Sequence, residues 1–140
     1  MKVIIDTSLW SLALRRSDMG DDPYVIACRR LVVDDRVVML GPIRQELLSG
    51  IRHQAQFDKL RVSLEAFPDF PIRTEDWEMA AACFNTCRRQ GIQGSNTDFL
   101  LCAVAMRAHY GILSNDNDFI NFSNVLPITL CSPGEIGLTQ

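Results

Sequence analysis

The sequence predicts a three-layer α/β/α sandwich around a five-stranded parallel sheet. Two observations carry that expectation. Short, continuous apolar runs recur along the chain, at Val3-Ile4-Ile5, Val37-Val38-Met39-Leu40 and Ile112-Leu113. Strands buried on both faces read this way, whereas half-exposed strands alternate apolar and polar residues. Between the runs lie longer segments with apolar residues at helical spacing, and strands alternating with helices imply a parallel sheet covered on both sides. The 140 residues suit one domain, 1–140, with one core.

The elements follow in order. Val3-Ile4-Ile5 forms the first strand, and Asp6 ends it. Thr7 and Ser8 are placed to cap a helix from about Leu9 to Arg16. A loop from Ser17 to Pro23 leads into a second helix carrying Tyr24, Ile26, Ala27, Leu31 and Val32, with Pro23 in its first turn. The second strand spans 37–40, and Gly41-Pro42 breaks it and starts a helix through Leu48. Another helix runs from about Gln54 to Ala66, and Phe70-Pro71-Ile72 is a weak third strand. Thr74 is placed to cap a helix with Glu75, Asp76 and Glu78 at its start and Arg88-Arg89 at its end, before Gly91. That charge order suits the helix dipole, and the glycine suits the stop. Ser95 or Asn96 caps a strongly apolar helix from Asp98 to Tyr110. Residues 112–114 and 128–131 supply the fourth and fifth strands.

Composition narrows the class. Hydrophobic residues make up 47% and charged residues 22%, ordinary for a globular domain. No apolar run nears the roughly 20 residues of a membrane helix. Lys2 and three apolar residues before Asp6 do not make a signal peptide, so a cytoplasmic protein is expected, with no membrane partner. Cys28, Cys83, Cys87, Cys102 and Cys131 are odd in number and contain no CxxC. They read as small buried hydrophobes rather than zinc ligands. The net charge of −3 argues at first against a nucleic-acid partner. If four of the acids converge on one cation, however, the remainder of the chain turns mildly positive.

Four acids are placed to do so. Ligands bind open parallel sheets at the carboxyl ends of the strands. Asp6 follows the first strand, Glu46 lies on the helix after the second, and Asp116 comes just after the fourth. Asp98 opens the helix that precedes the fourth strand. Taken singly, each has a bland reading as a cap, a turn residue or an exposed helix acid. Together they fall on one sheet edge, where like charges raise carboxyl pKa values unless a cation fills the site. An all-oxygen set suits Mg²⁺, or Mn²⁺ in its place, and phosphoryl chemistry.

The same residues resemble the PIN-domain ribonucleases. Asp6-Thr7-Ser8 looks like that family's opening motif, and Gly41 to Gly50 like its second block, with Glu46 the functional acid. Asp98 heading Phe99 to Ala105 resembles the third block. Leu113-Ser114-Asn115-Asp116-Asn117-Asp118-Phe119 resembles the fourth, with serine where threonine is commoner. The resemblance implies a VapC-type toxin: a metal-dependent endoribonuclease that dimerises and is neutralised by a VapB-like antitoxin. It implies that Asp6, Asp98 and Asp116 hold Mg²⁺ directly or through water. Glu46 would hold a second ion or orient the attacking water, and Thr7 and Ser114 would support the metal's water shell. Asp118 either joins the site or caps the short helix after it. Leu9, Trp10, Leu12, Leu47 and Leu48 would border an antitoxin groove, although core is the simpler reading for most of them.

Other classes fit less well. A haloacid-type phosphohydrolase needs an aspartate where Ser8 stands, and a response-regulator receiver needs a lysine that Lys2 and Lys59 do not supply. GxGxxG and GxxxxGK[ST] are absent. A non-catalytic PIN-like scaffold or RNA-binding module remains as the alternative, and the intact acidic quartet argues against it.

Overall fold

The computed structural model describes residues 1–15 and 20–138. Its sheet has four strands, β1 (Val3–Ile5), β2 (Val37–Val38), β3 (Gly111–Leu113) and β4 (Thr129–Leu130), in the order β2-β1-β3-β4. Every pair is parallel, with Ile4 opposite Val38 on one side and Ile112 on the other. The fold class is therefore the expected α/β, with one strand fewer. The strand expected at Phe70-Pro71-Ile72 shrinks to a single bridge between Met39 and Asp69 and one bond from Phe70 N–H to the Met39 carbonyl, 2.8 Å. Pro68 and Pro71 flank that bond and have no N–H to extend the ladder.

The helices connect the strands. α1 (Thr7–Arg15) and α2 (Pro23–Val33) join β1 to β2. α3 (Gly41–Leu48), α4 (Gln54–Leu64), α5 (Thr74–Arg89) and α6 (Asn96–Ala108) join β2 to β3. α7 (Asp118–Ser123) precedes β4, and α8 (Pro133–Leu138) follows it and packs on α2. The chain leaves β1 toward β2 and returns on the other side as β3. Right-handed crossovers in opposite directions put α1 and α2 on one face of the sheet and α5 and α6 on the other. Arg16 to Met19, the end of the expected first helix and the start of its loop, lie outside the described residues. Among the described residues no helix is long and apolar enough to cross a membrane.

The caps differ in detail from the expectation. The first helix starts at Thr7 rather than Leu9, and Asp6 supplies the cap: its Oδ1 accepts from Thr7 N–H at 2.8 Å and its carbonyl from Trp10 N–H. Arg73, not Thr74, is the N-cap of α5, and Asp76 Oδ2 accepts the Arg73 N–H at 2.9 Å. Ser95 caps α6 through Asp98 N–H at 3.1 Å, so Asp98 is the third residue of its helix. α6 is buried from Phe99 to Ala105, the mark of a central helix rather than a surface one. Its Phe99 ring lies 4.9 Å from Phe122, which meets Phe119 at 5.2 Å. Leu9, Trp10 and Leu47 are buried core, as the simpler reading had them, and Leu12 and Leu48 pack against it. The cysteines are free and, except for half-buried Cys131, buried; burial pushes the Cys28 thiol up to about 12.

Two contacts hold α6 in place. Asp76 is fully enclosed and accepts from Arg107 Nε at 2.6 Å and Nη2 at 2.8 Å. Arg107 also reaches the Pro71 carbonyl and lies over the Phe70 ring. It thereby clamps the 70–73 segment and the start of α5 to the end of α6. The arginine holds the Asp76 carboxyl well below the usual carboxylate range, hydrogen bonding being the largest cause. At the other end, Gly94 lies so close to Phe122 and Phe99 that a Cβ there would stand 2.5 Å from the Phe122 ring.

Asp76→Asn leaves Arg107 without its counter-charge and should cost about 3 kcal/mol at pH 7, read by urea denaturation. A depressed pKa contributes stability above the unfolded value that is lost as pH falls through the folded one. The deficit should therefore shrink in strong acid, where the wild type loses the same pair. Gly94→Ala should cost about 1–3 kcal/mol by overpacking, and the same titration reads it.

Candidate active site

Asp6 is where the site begins. It follows the last residue of β1, its N–H donates to the Leu113 carbonyl of neighbouring β3 at 3.0 Å, and it is only 6% exposed. Its Oδ2 accepts from Ser8 Oγ at 2.9 Å and from Ser114 Oγ at 3.0 Å. With the Thr7 N–H on Oδ1, the carboxylate is held by three donors from both strand ends. β1 and β3 are also the strands between which the chain reverses its direction across the sheet, the place where open parallel sheets form a crevice.

Asp98 and Asp116 lie within electrostatic reach of Asp6. Asp98 is half-buried at the N-terminus of α6, its Oδ2 accepting from Ser95 N–H at 3.2 Å. Asp116 is exposed just beyond β3; its N–H donates to Ser114 Oγ at 3.0 Å, and its Oδ1 accepts from Asp118 N–H at 2.9 Å. Burial raises the Asp6 carboxyl above the ordinary carboxylate range, and the Asp116 charge adds to it against the Ser8, Ser114 and Thr7 hydrogen bonds. Burial also raises Asp98, with the charges of Asp6 and Asp116 pushing the same way against the Ser95 bonds. The three carboxyls thus feel one another.

Glu46 stands at the margin. It is exposed on α3 and is tied to the β1 end through Thr7, whose Oγ1 donates to Glu46 Oε1 at 2.7 Å. Asp118 is exposed at the first position of α7, where its backbone N–H, rather than its carboxylate, meets Asp116. Asn117, not Asp118, is the N-cap of that helix. Two further residues belong to the arrangement. Ser8 bonds Asp6, and at 3.4 Å it also donates to the Asn115 side-chain oxygen. Ser8 lay inside the opening motif, but its reach back to Asp6 depends on the tight turn into α1.

The donor set is carboxylate and hydroxyl oxygen, the chemistry that suits a hard divalent cation. Among the described residues no three acid, histidine or cysteine side chains are closed into a ready metal cage. A cation beside Asp6 and Asp98 would offset the neighbouring carboxylate charge that adds to burial in raising both.

The fold is shared with solved structures of low sequence identity. FitAcB from Neisseria gonorrhoeae is 17% identical with a TM-score of 0.72, over 94% of this chain and 97% of that one. VapBC2 from Rickettsia felis, bound to a DNA fragment from their promoter, is 16% identical with a TM-score of 0.74, over 94% and 98%. VapBC-1 from nontypeable Haemophilus influenzae is 14% identical with a TM-score of 0.69, over 95% and 98%. No curated protein gives a significant sequence match. Residues 3–125 match the family model of the PIN domain, reaching from the first residue of β1 past Asp116 and α7, and the chain belongs to the PIN domain family.

Proposed function

We propose that this chain is a Mg²⁺-dependent endoribonuclease acting as a VapC-type toxin, a single PIN-like domain over residues 1–140, with Asp6, Glu46, Asp98 and Asp116 as its working acids. The observation that carries the reading is the gathering of Asp6, Asp98 and Asp116 about the β1–β3 crevice, with Asp6 and Asp98 raised by burial and by neighbouring carboxylate charge. Carboxyls raised by burial and neighbouring charge in a crevice mark candidate functional sites. When bound, Mg²⁺ or Mn²⁺ supplies neutralisation of phosphate charge and acidification of water.

The chain's own residues do the rest. Asp6, fixed by Thr7, Ser8 and Ser114, presents a carboxylate that need not reorganise. Asp98, from α6, and Asp116, from the β3 end, would hold the ion together with Asp6. Glu46, steadied by Thr7, orients the attacking water. Ser114 holds Asp6 and, through the Asp116 N–H, the turn that carries Asp116.

The solved relatives named VapBC, together with one described as a toxin–antitoxin complex from Klebsiella pneumoniae, support an antitoxin as partner. An apolar groove of about 460 Å³ between α1 and α2, lined by Trp10, Ala13, Leu14, Val32 and Phe67, suits an apolar segment of such a partner. The indole N–H of Trp10 is buried and has no hydrogen-bond partner among the described residues. The family resemblance implies a second copy as well, and exposed Trp77, with Ala81 and Phe84 along the same side of α5, offers it apolar surface.

Purified chain should cleave RNA with Mg²⁺ or Mn²⁺ and stop with EDTA, and Asp98→Asn should lower the rate by more than about a hundredfold. Cleavage that survives Asp98→Asn would remove the assignment. Complete inactivity without metal-induced stabilisation would favour the scaffold. Stability gives an independent check. An aspartate whose folded pKa is raised destabilises the fold above that pKa, and the penalty vanishes once pH falls below the unfolded value. Metal-free Asp98→Asn should therefore melt higher than wild type at pH 7, with the gap closing in acid. Mg²⁺ should raise the wild-type Tm more than the variant's, by scanning calorimetry.

A further inference from the structure

Beside the acids lies a cavity of about 330 Å³, between the β3 and β4 ends and the start of α2. Ser114 and Asp116 belong to both the cavity and the acid site. Its other walls are unlike the acid site. Half-buried Tyr24 brings an aromatic surface, Asn115, Asn117 and Ser132 bring neutral hydrogen-bonding groups, and exposed Ile120 an apolar edge.

We propose that this cavity is a subsite for one nucleobase of the RNA, adjoining the phosphate that is cut. Charge decides the class of ligand. The lining has no lysine or arginine among the described residues and includes the Asp116 carboxylate, so a second phosphate would be repelled. Carboxamides and hydroxyls both donate and accept, which suits the edge of a neutral base. An aromatic side chain offers the stacking that unpaired bases use. The volume lies at the low end of about 300–1,000 Å³ for small-ligand pockets, room for a single base rather than paired ones. A base can enter only if it is unstacked and unpaired, so the substrate is single-stranded or looped at the cut. The placement of the phosphate at the acids rests on the nuclease reading above; the cavity's preference for a base does not.

The test uses the whole chain and two readouts. In the first, NMR follows the Asn115 and Asn117 side-chain amides in Mg²⁺ while nucleoside 5′-monophosphates or ribose 5-phosphate are added. At least one nucleotide should shift both amides, ribose 5-phosphate should not, and Tyr24→Leu should weaken the nucleotide about tenfold. Asn117→Ala, at an exposed position, should weaken it as well and guards against a folding defect in the tyrosine variant. In the second, kcat/KM on a single-stranded RNA should fall about tenfold in Tyr24→Leu, with unchanged dependence on metal. Equal shifts from ribose 5-phosphate, or none from any nucleotide, would overturn the subsite even if RNA is cleaved. Base-specific shifts without any cleavage by wild type would keep the subsite and overturn the nuclease reading instead.

Discussion

The Asp6 carboxylate is a nearly buried charge at the end of the central strand, and the sheet edge is organised around keeping it there. Burying an ionised carboxylate is costly unless hydrogen bonds replace the lost water. Here the replacement comes from a backbone N–H and two hydroxyls, and one hydroxyl, Ser114, comes from the neighbouring strand. The parallel register that sets Ile5 opposite Leu113 makes this reach geometrically available. The bond from Asp6 N–H to the Leu113 carbonyl extends the same ladder one residue further. Strand pairing and site assembly are thus one event. Whatever slips β1 against β3 also strips donors from Asp6.

Around that anchor the molecule accepts local repulsion. Asp98 needs its Ser95 cap, and its place at a helix N-terminus favours negative charge. Burial and the charges of Asp6 and Asp116 work against it. Such conflict is characteristic of sites that trade stability for chemistry. The balance is restored elsewhere, in the apolar α6 and the Phe99, Phe119 and Phe122 cluster, and in the Asp76–Arg107 clamp at the far end of the helix. The clamp is an ion pair with its carboxylate buried, and it joins α5, α6 and the 70–73 segment, so that losing one partner costs more than the pair's net stability. Arg44 acts alike on the turn after α4, bonding the Leu64 and Phe67 carbonyls and Asp69.

The elements that were legible in the sequence are those with one dominant local signal. The apolar runs Val3–Ile5 and Ile112-Leu113, the proline opening α2, and Arg88-Arg89 before Gly91 each marked an element, although the strand expected at 112–114 runs from Gly111 to Leu113. The third strand failed because strand formation is not local: Phe70 finds Met39, but the flanking prolines leave nothing to continue the pairing. The caps expected at Thr7 and Thr74 each lie one residue earlier, where Asp6 Oδ1 accepts the Thr7 N–H and Asp76 Oδ2 accepts the Arg73 N–H.

Sequence by itself determined the kind of chemistry available: short buried strands, helices between them, and acids spaced to fall at strand ends. It did so because burial and side-chain periodicity are written residue by residue. Only the tertiary structure decided how these acids are held. Ser8 and Ser114 on Asp6, Thr7 on Glu46, and the neutral cavity that starts at Asp116 join residues up to 108 positions apart. Such contacts depend on strand order and register, and no local pattern encodes them.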